Sequence, residues 1–228
     1  MTDMTLTKSK RQTEQLEQTN TAVLGFWLYL MTDCVLFASL FATFVVLRHN
    51  TFGGPSGAQL FSLPYVLLET LVLLSSSFTN GLALLSAQRK QVRPTLIWLG
   101  VTFMLGATFL GLELSEFHKF VAMGDSWRRS GFLSAYYTLV GTHGAHISVG
   151  LIWMVVMALY IYKHGLGRLS LKRLRMLSLF WHFLDVVWIF IFTIVYLFGA
   201  LHAWTLNTTL VALVRKRPIC CTRLKLSI

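Results

Sequence analysis

The sequence predicts an all-α membrane protein, a bundle of five transmembrane helices with its N-terminus cytoplasmic and its C-terminus external. Hydrophobic residues make up 55% of the 228 residues and charged residues 13%, and the mean hydropathy is +0.62, which is too apolar for an ordinary soluble domain. Five apolar stretches reach the roughly 20 residues that a spanning helix needs. Five of the nine Asp and Glu residues lie within or at the edge of these stretches, where an ionisable side chain normally faces a bundle interior.

The five spans are placed on the longest apolar runs. They are residues 24–47, 64–87, 95–114, 131–162 and 176–203. The second span opens at Pro64 and the third behind Pro94, where the missing proline N–H costs nothing.

Two segments flank this transmembrane domain, which covers residues 24–203. Residues 1–23 are polar and rich in Thr and Gln, which predicts disorder. Residues 204–228 form a basic extension. Its apolar run, residues 206–214, is under half the length that a sixth span would require.

The net charge of +11 does not indicate nucleic-acid binding, because the basic residues concentrate in alternate loops. Eleven Lys and Arg residues precede the first span or lie between spans two and three or four and five, against four in the other two loops. By the positive-inside rule this distribution predicts a cytoplasmic N-terminus. The tail adds five basic residues to the external side, but charges after the last span usually count for less.

Ionisable residues three apart occur in three spans, and residues at this spacing share a helix face. Counted at about 1.5 Å per residue, one set lies roughly 8 to 16 Å from the cytoplasmic end. This buried polar layer comprises Asp33, His143, His146, His182 and Asp185. A second, outer polar layer comprises Glu69, Glu113 and Glu116.

The inner layer admits three interpretations. Facing histidines and carboxylates can hold iron, copper or haem, although the Glu-x-x-His pattern of di-iron bundles does not occur within a span. The same residues can serve a proton-linked role. We favour a hydrogen-bonded structural cluster in which the histidines satisfy Asp33 and Asp185. We expect Glu113 and Glu116 to be interfacial, in contact with Arg128, Arg129 or lipid headgroups, and Cys34 to be apolar packing.

Four motifs in this order resemble subunit III of the haem–copper terminal oxidases, most closely that of the cytochrome bo-type ubiquinol oxidases. The resemblance spans about residues 20–203. The motifs are Gly25 to Asp33, Glu113 to Phe117, Gly141 to His146 and Phe180 to Trp188.

The resemblance implies an accessory subunit of a respiratory complex in the bacterial inner membrane. That complex oxidises ubiquinol, reduces oxygen to water and pumps protons. The haems and copper belong to subunit I, so no catalytic, cofactor or metal site is expected in this chain. Its expected partners are subunit I, the other oxidase subunits and structural phospholipid held between two groups of helices.

One family position departs from the pattern of the cytochrome c oxidase branch. That branch carries a buried Glu in the first motif, where this chain has Asp33, whose shorter side chain reaches less far. The alternative function is a small proton-linked transporter or channel that uses the buried Asp and His residues. Transporters more typically contain helices broken by Gly or Pro in matching halves, and no proline lies beyond the first turn of a span.

Overall fold

The computed structural model describes the backbone of residues 2–48, 63–122 and 130–197, and the side chains of residues 21–48, 64–122 and 130–197. Helices account for the regular structure of these ranges. They are α1 (Thr2–Leu47), α2 (Leu63–Gln88), α3 (Val92–Ala122), α4 (Gly131–His164), α5 (Arg168–Ile191) and a short π-helix, Phe192–Leu197, that continues α5. Each of the five α-helices contains a stretch long and apolar enough to cross a membrane, as the sequence predicts.

The helices differ from the predicted spans chiefly at their ends. The third span was placed at residues 95–114, whereas α3 continues to Ala122 and so includes Glu113 and Glu116 well within the helix. Helix α1 begins at Thr2, so the segment predicted to be disordered is helical. That segment contains neither Gly nor Pro, and extending an existing helix avoids the cost of a new nucleus. Residues 198–203 of the fifth predicted span and the extension 204–228 lie outside the described residues, and the division of the chain into domains stays a prediction.

Helix boundaries follow local chemistry. The Ser130 hydroxyl accepts a hydrogen bond from the Leu133 N–H at 3.2 Å and caps the start of α4. Helix α4 ends at Gly165, which has a φ of 70° and donates its N–H to the Ile161 carbonyl at 2.8 Å. A residue without a Cβ adopts this left-handed φ without strain, so the glycine permits the tight turn into α5.

Four helices close into a ring, and the fifth lies outside it. Helix α2 packs against α3 and α5, while α4 packs against α3 and α5 from the other side. Helix α1 contacts mainly α4 and touches α5 less. The described helices therefore form one ring with an added helix, which differs from the two groups of helices that the family resemblance implied.

The centre of the ring is packed by large aromatic side chains held close to glycines. Trp181 is fully buried. A Cβ added to Gly106 would lie 2.8 Å from this indole, and one added to Gly150 would lie 3.1 Å from it. Both distances are shorter than ordinary van der Waals contact, so α3 and α4 can approach α5 this closely only with glycine at these positions.

Candidate functional site

Asp33 and His146 face each other where α1 packs on α4. The His146 Nε2 lies 3.6 Å from the Asp33 Oδ1, and their side chains are 18% and 8% exposed. The His146 Nδ1 donates to the Thr142 carbonyl at 2.7 Å. We refer to Asp33 and His146 as the α1 pair. The distance between the His146 Nε2 and the Asp33 Oδ1 is longer than a direct hydrogen bond, and the pair is enclosed by the two helices.

His182 and Asp185 form a second pair, on α5 beside α2. The His182 Nδ1 lies 3.7 Å from the Asp185 Oδ2 and 3.0 Å from the Ser77 hydroxyl. The two side chains line an open groove of about 1010 Å³ between α2 and α5. The His182 side chain is 50% exposed, and that of Asp185 is 11% exposed. We refer to these two residues as the groove pair.

His143 lies in neither pair. It is fully buried inside the ring, and its imidazole stacks on Trp188 with ring centroids 5.3 Å apart. Phe109 and Phe37 meet the imidazole edge-on at 6.1 and 6.4 Å. Among the described residues, neither ring nitrogen has a hydrogen-bond partner. The imidazole is thus held by aromatic contacts.

The outer layer is a buried cluster of carboxylates. Glu69 is 0% exposed, Glu113 2% and Glu116 5%. The Tyr136 and Tyr196 hydroxyls lie 3.0 Å apart, and each donates to the Glu116 Oε2 at 3.4 Å. We call these five residues the outer carboxylate cluster.

The burial of this cluster corrects the expectation that Glu113 and Glu116 contact lipid headgroups. Both side chains are buried, and hydroxyls from α4 and the π-helix donate to Glu116, while among the described residues neither Glu113 oxygen has a hydrogen-bond partner. Arg128 and Arg129 lie outside the described residues. Cys34, expected to pack in the apolar interior, is exposed on α1.

The inner and outer layers meet at one point. A Cβ added to Gly144 would lie 3.1 Å from both carboxylate oxygens of Glu113. Glu113, assigned to the outer layer, therefore lies beside the residue that follows His143, assigned to the inner layer. The depth count had placed His143 within roughly 16 Å of the cytoplasmic end, whereas α4 continues to His164, roughly 30 Å beyond His143 at the rise of an α-helix.

The inner-layer residues do not converge on one point. Asp33 and His146 meet between α1 and α4, His143 faces the ring interior, and the groove pair faces outward between α2 and α5. Within the ranges that the structure describes, no three His, Cys, Asp or Glu side chains are placed to ligate one metal ion. The absence of a cofactor and the roles of these residues stay predictions.

Sequence reasoning missed the hydroxyl partners of the charged groups. In the sequence, Tyr136 and Tyr196 look like the aromatic anchors that are common at membrane surfaces, and Ser77 was not singled out. A run of small polar residues in α2 was an available signal, since hydroxyls within a span usually bond across helices. From this run Thr79 bonds to Thr102 on α3 at 2.9 Å, and Asn80 donates to Ser178 on α5 at 3.3 Å.

Comparison with known proteins gives a consistent set of relatives. Residues 5–200 match the family described as cytochrome c oxidase subunit III. A cytochrome bo(3) ubiquinol oxidase subunit 3 of Pseudomonas aeruginosa is 59% identical over 179 residues, which cover 78% of this chain and 86% of the relative. The protein of the same name from Buchnera aphidicola is 47% identical, covering 78% of this chain and 91% of the relative. The quinol oxidase subunit 3 of Bacillus subtilis is 44% identical, covering 78% and 87%.

Proposed function

The chain belongs to the cytochrome c oxidase subunit III family, and we propose that it is the accessory subunit III of a cytochrome bo-type ubiquinol oxidase. The observation that carries this is the 59% identity to a subunit of that name, along 86% of the relative's length. The complex oxidises ubiquinol, reduces oxygen to water and pumps protons. The comparisons do not favour the alternative of a small proton-linked transporter or channel.

Within the complex, this chain acts without a catalytic or cofactor site of its own. The geometry supports this role because the three histidines of the inner layer face three different directions, so their nitrogens cannot ligate one haem or metal together. The haems and copper belong to subunit I. The inner polar layer fixes how the helices pack; its residues are Asp33, His143, His146, His182 and Asp185. The α1 pair and the groove pair, which each contain a carboxylate, can also serve a proton-linked role.

The chain contributes packing, lipid retention and durability to the bacterial inner-membrane complex, with subunit I as its main contact. Many large apolar side chains are exposed along its helices, among them Val46, Phe78 and Ile152 at 74%, 69% and 65%. Such a surface is suited to phospholipid chains and to the helices of neighbouring subunits. The outer carboxylate cluster lies at the opposite end of the ring from the α2–α3 and α4–α5 turns.

The N-terminus is cytoplasmic and the C-terminus external in this proposal, on the strength of the alternating Lys and Arg content of the loops. Reporter fusions after Arg93 and after Arg175 should both read cytoplasmic. An external reading from either fusion would invert the bundle.

Removing the chain from the oxidase tests its role. A complex assembled without it should keep its haem spectrum and part of its ubiquinol oxidase activity while losing activity faster during turnover. The purified chain should show no haem absorbance and bind no stoichiometric iron or copper.

Two substitutions complete this experiment. In the assembled complex, His143→Ala and His182→Ala should leave every haem band in place, because neither histidine ligates a haem. Loss of a band in either variant, or haem bound to the purified chain, would overturn the accessory role.

A further inference from the structure

The groove between α2 and α5 has its polar part at the depth of the bilayer middle. His182 lies near the centre of the span Arg168–Leu197, roughly 20 Å from either end at the rise of an α-helix, and Ser77 lies near the centre of the span Pro64–Gln88. The hydrocarbon core of a bilayer is about 30 Å thick, so phospholipid headgroups do not reach this level. A molecule that bonds to His182 from the membrane side must carry its polar part within the hydrocarbon.

The imidazole of His182 offers this groove a free hydrogen-bonding atom. Its Nδ1 is engaged by the Ser77 hydroxyl at 3.0 Å, whereas its Nε2 has no hydrogen-bond partner among the described residues, and the side chain is 50% exposed. Ser75 and Thr79, which also line the groove, each donate to a carbonyl of their own helix at 2.8 Å. The Asp185 oxygens are buried. Polar recognition in the groove therefore falls to the Nε2 of His182.

The contact with Ser77 allows this nitrogen to donate or to accept. A hydroxyl can do both. When Ser77 donates to the Nδ1 of His182, the Nε2 carries the proton and donates outward; when Ser77 accepts from the Nδ1–H, the Nε2 is an acceptor. A quinone presents carbonyl acceptors and a quinol presents hydroxyl donors. The same imidazole can thus bond to either redox form of such a headgroup.

The rest of the groove suits an apolar tail and a flat headgroup. Its volume, about 1010 Å³, is that of a small-molecule pocket with few polar groups. A Cβ added to Gly81 would meet nothing within 4 Å, so open space lies beside the α2 backbone. The Phe78 ring is 69% exposed and presents a face on which a conjugated ring can stack. The apolar wall consists of Leu74, Phe78, Leu82, Leu85 and Val186.

We propose that the groove between α2 and α5 binds an isoprenoid quinone, with a headgroup oxygen bonded to the Nε2 of His182 and the tail along the apolar wall. The headgroup is uncharged and polar and the tail is hydrocarbon, so the molecule can place hydrogen-bonding oxygens at this depth. Phospholipid acyl chains offer the Nε2 no partner. The inference rests on the proposed function, which makes ubiquinol and ubiquinone the quinones of the same membrane.

The experiment labels the purified oxidase complex with a photoreactive azido analogue of ubiquinone. After illumination, the haem content is measured, and labelled peptides of this chain are identified by mass spectrometry. We expect label on α2 within residues 74–85 or on α5 close to His182. An excess of short-tailed ubiquinone should suppress this label, and the same excess of a short-chain phospholipid should not.

Paired variants test the groove and its hydrogen bond separately. Gly81→Phe fills the open space and should remove most of the label, whereas Gly111→Phe adds the same bulk at an exposed glycine of α3 with equally open space and should leave it unchanged. His182→Leu should weaken the apparent affinity about fivefold, the worth of one hydrogen bond. His182→Gln keeps a hydrogen-bonding group near the position of the Nε2 and should restore most of that affinity. Co-purification of each variant with the complex shows that it folds.

The outcomes separate this inference from the proposed function. If the chain co-purifies with the haem-containing complex but takes no label, or if phospholipid competes as well as ubiquinone, the inference is wrong and the proposed function stands. Unchanged labelling in Gly81→Phe would also overturn the inference, as would equal affinities of His182→Leu and the unaltered chain. If the chain is absent from the haem-containing complex, both proposals fail.

Discussion

The α1 pair and the groove pair contain the same two side chains at nearly the same separation, 3.6 and 3.7 Å, yet their surroundings differ. In the α1 pair the imidazole is 18% exposed, and in the groove pair it is 50% exposed. What separates them is a single helix, α1, which lies over α4 and leaves the α2–α5 face open. The comparison teaches that the burial of the imidazole depends on a further helix, because α1 carries Asp33 and shields His146, whereas the two carboxylates are buried nearly alike, at 8% and 11%.

The largest loss of stability is expected from His146→Leu, which removes the imidazole from the closed interface between α1 and α4. Asp33 would lose the imidazole beside its Oδ1, and the free energy of unfolding should fall by about 2 kcal/mol because a buried acceptor loses its charged or polar neighbour. Denaturant titration of the purified chain in mild detergent would measure the change.

The double variant Asp33→Leu with His146→Leu is the control for this prediction. Replacing both members of a buried pair by apolar side chains is often nearly neutral, so it should regain most of the lost stability. A double variant as unstable as His146→Leu would show that the pair matters through shape and not through its polar contact.

A smaller loss of stability is expected at the outer carboxylate cluster, where tyrosine hydroxyls lie beside Glu116 as His146 lies beside Asp33. Tyr136→Phe removes one donor and should cost about 1 kcal/mol, the net worth of a buried hydrogen bond. The matched control is Tyr162→Phe, at a 76% exposed position of the same helix, which should leave the same titration unchanged. Equal effects of the two substitutions would argue against any role for the Tyr136 hydroxyl in holding the carboxylate.

The smallest loss of stability in the isolated chain is expected from His182→Leu, because a half-exposed group contributes only about 0.5 kcal/mol or less to the free energy of unfolding. The same denaturant titration of the purified chain would measure the change. A loss in the free chain as large as that of His146→Leu would end the distinction between the two pairs.

The sequence was sufficient for the parts of the structure that depend on one helix at a time. The five spans follow from apolar length, and the proximity of His182 to Asp185 follows from their spacing of three along one helix. The pairing of Asp33 with His146 does not follow, because it depends on the order of helices around the ring and on the rotation of α1. Neither the order of the helices nor the rotation of α1 can be inferred from a local sequence pattern.

The outer carboxylates show a second limit of sequence reasoning. Glu113 and Glu116 interrupt the apolar run of α3, so hydropathy ends the span there although the helix continues to Ala122. Their burial depends on Tyr136 and Tyr196, which lie 20 and 80 residues from Glu116 along the chain. An aromatic ring with a hydroxyl looks the same in sequence whether it anchors at a membrane surface or binds a carboxylate.

The π-helix at the end of α5 carries a consequence for chain length. A π-turn holds one residue more than an α-turn, so Phe192–Leu197 accommodates an extra residue before Tyr196. Winding the same residues as an α-helix would rotate Tyr196 by about 100° around the helix axis, away from Glu116 and the Tyr136 hydroxyl, whereas deleting one residue before Tyr196 would allow α-helical winding with Tyr196 still facing them. At this point the spacing of the chain, and not the identity of any one side chain, decides whether the last helix reaches the carboxylates.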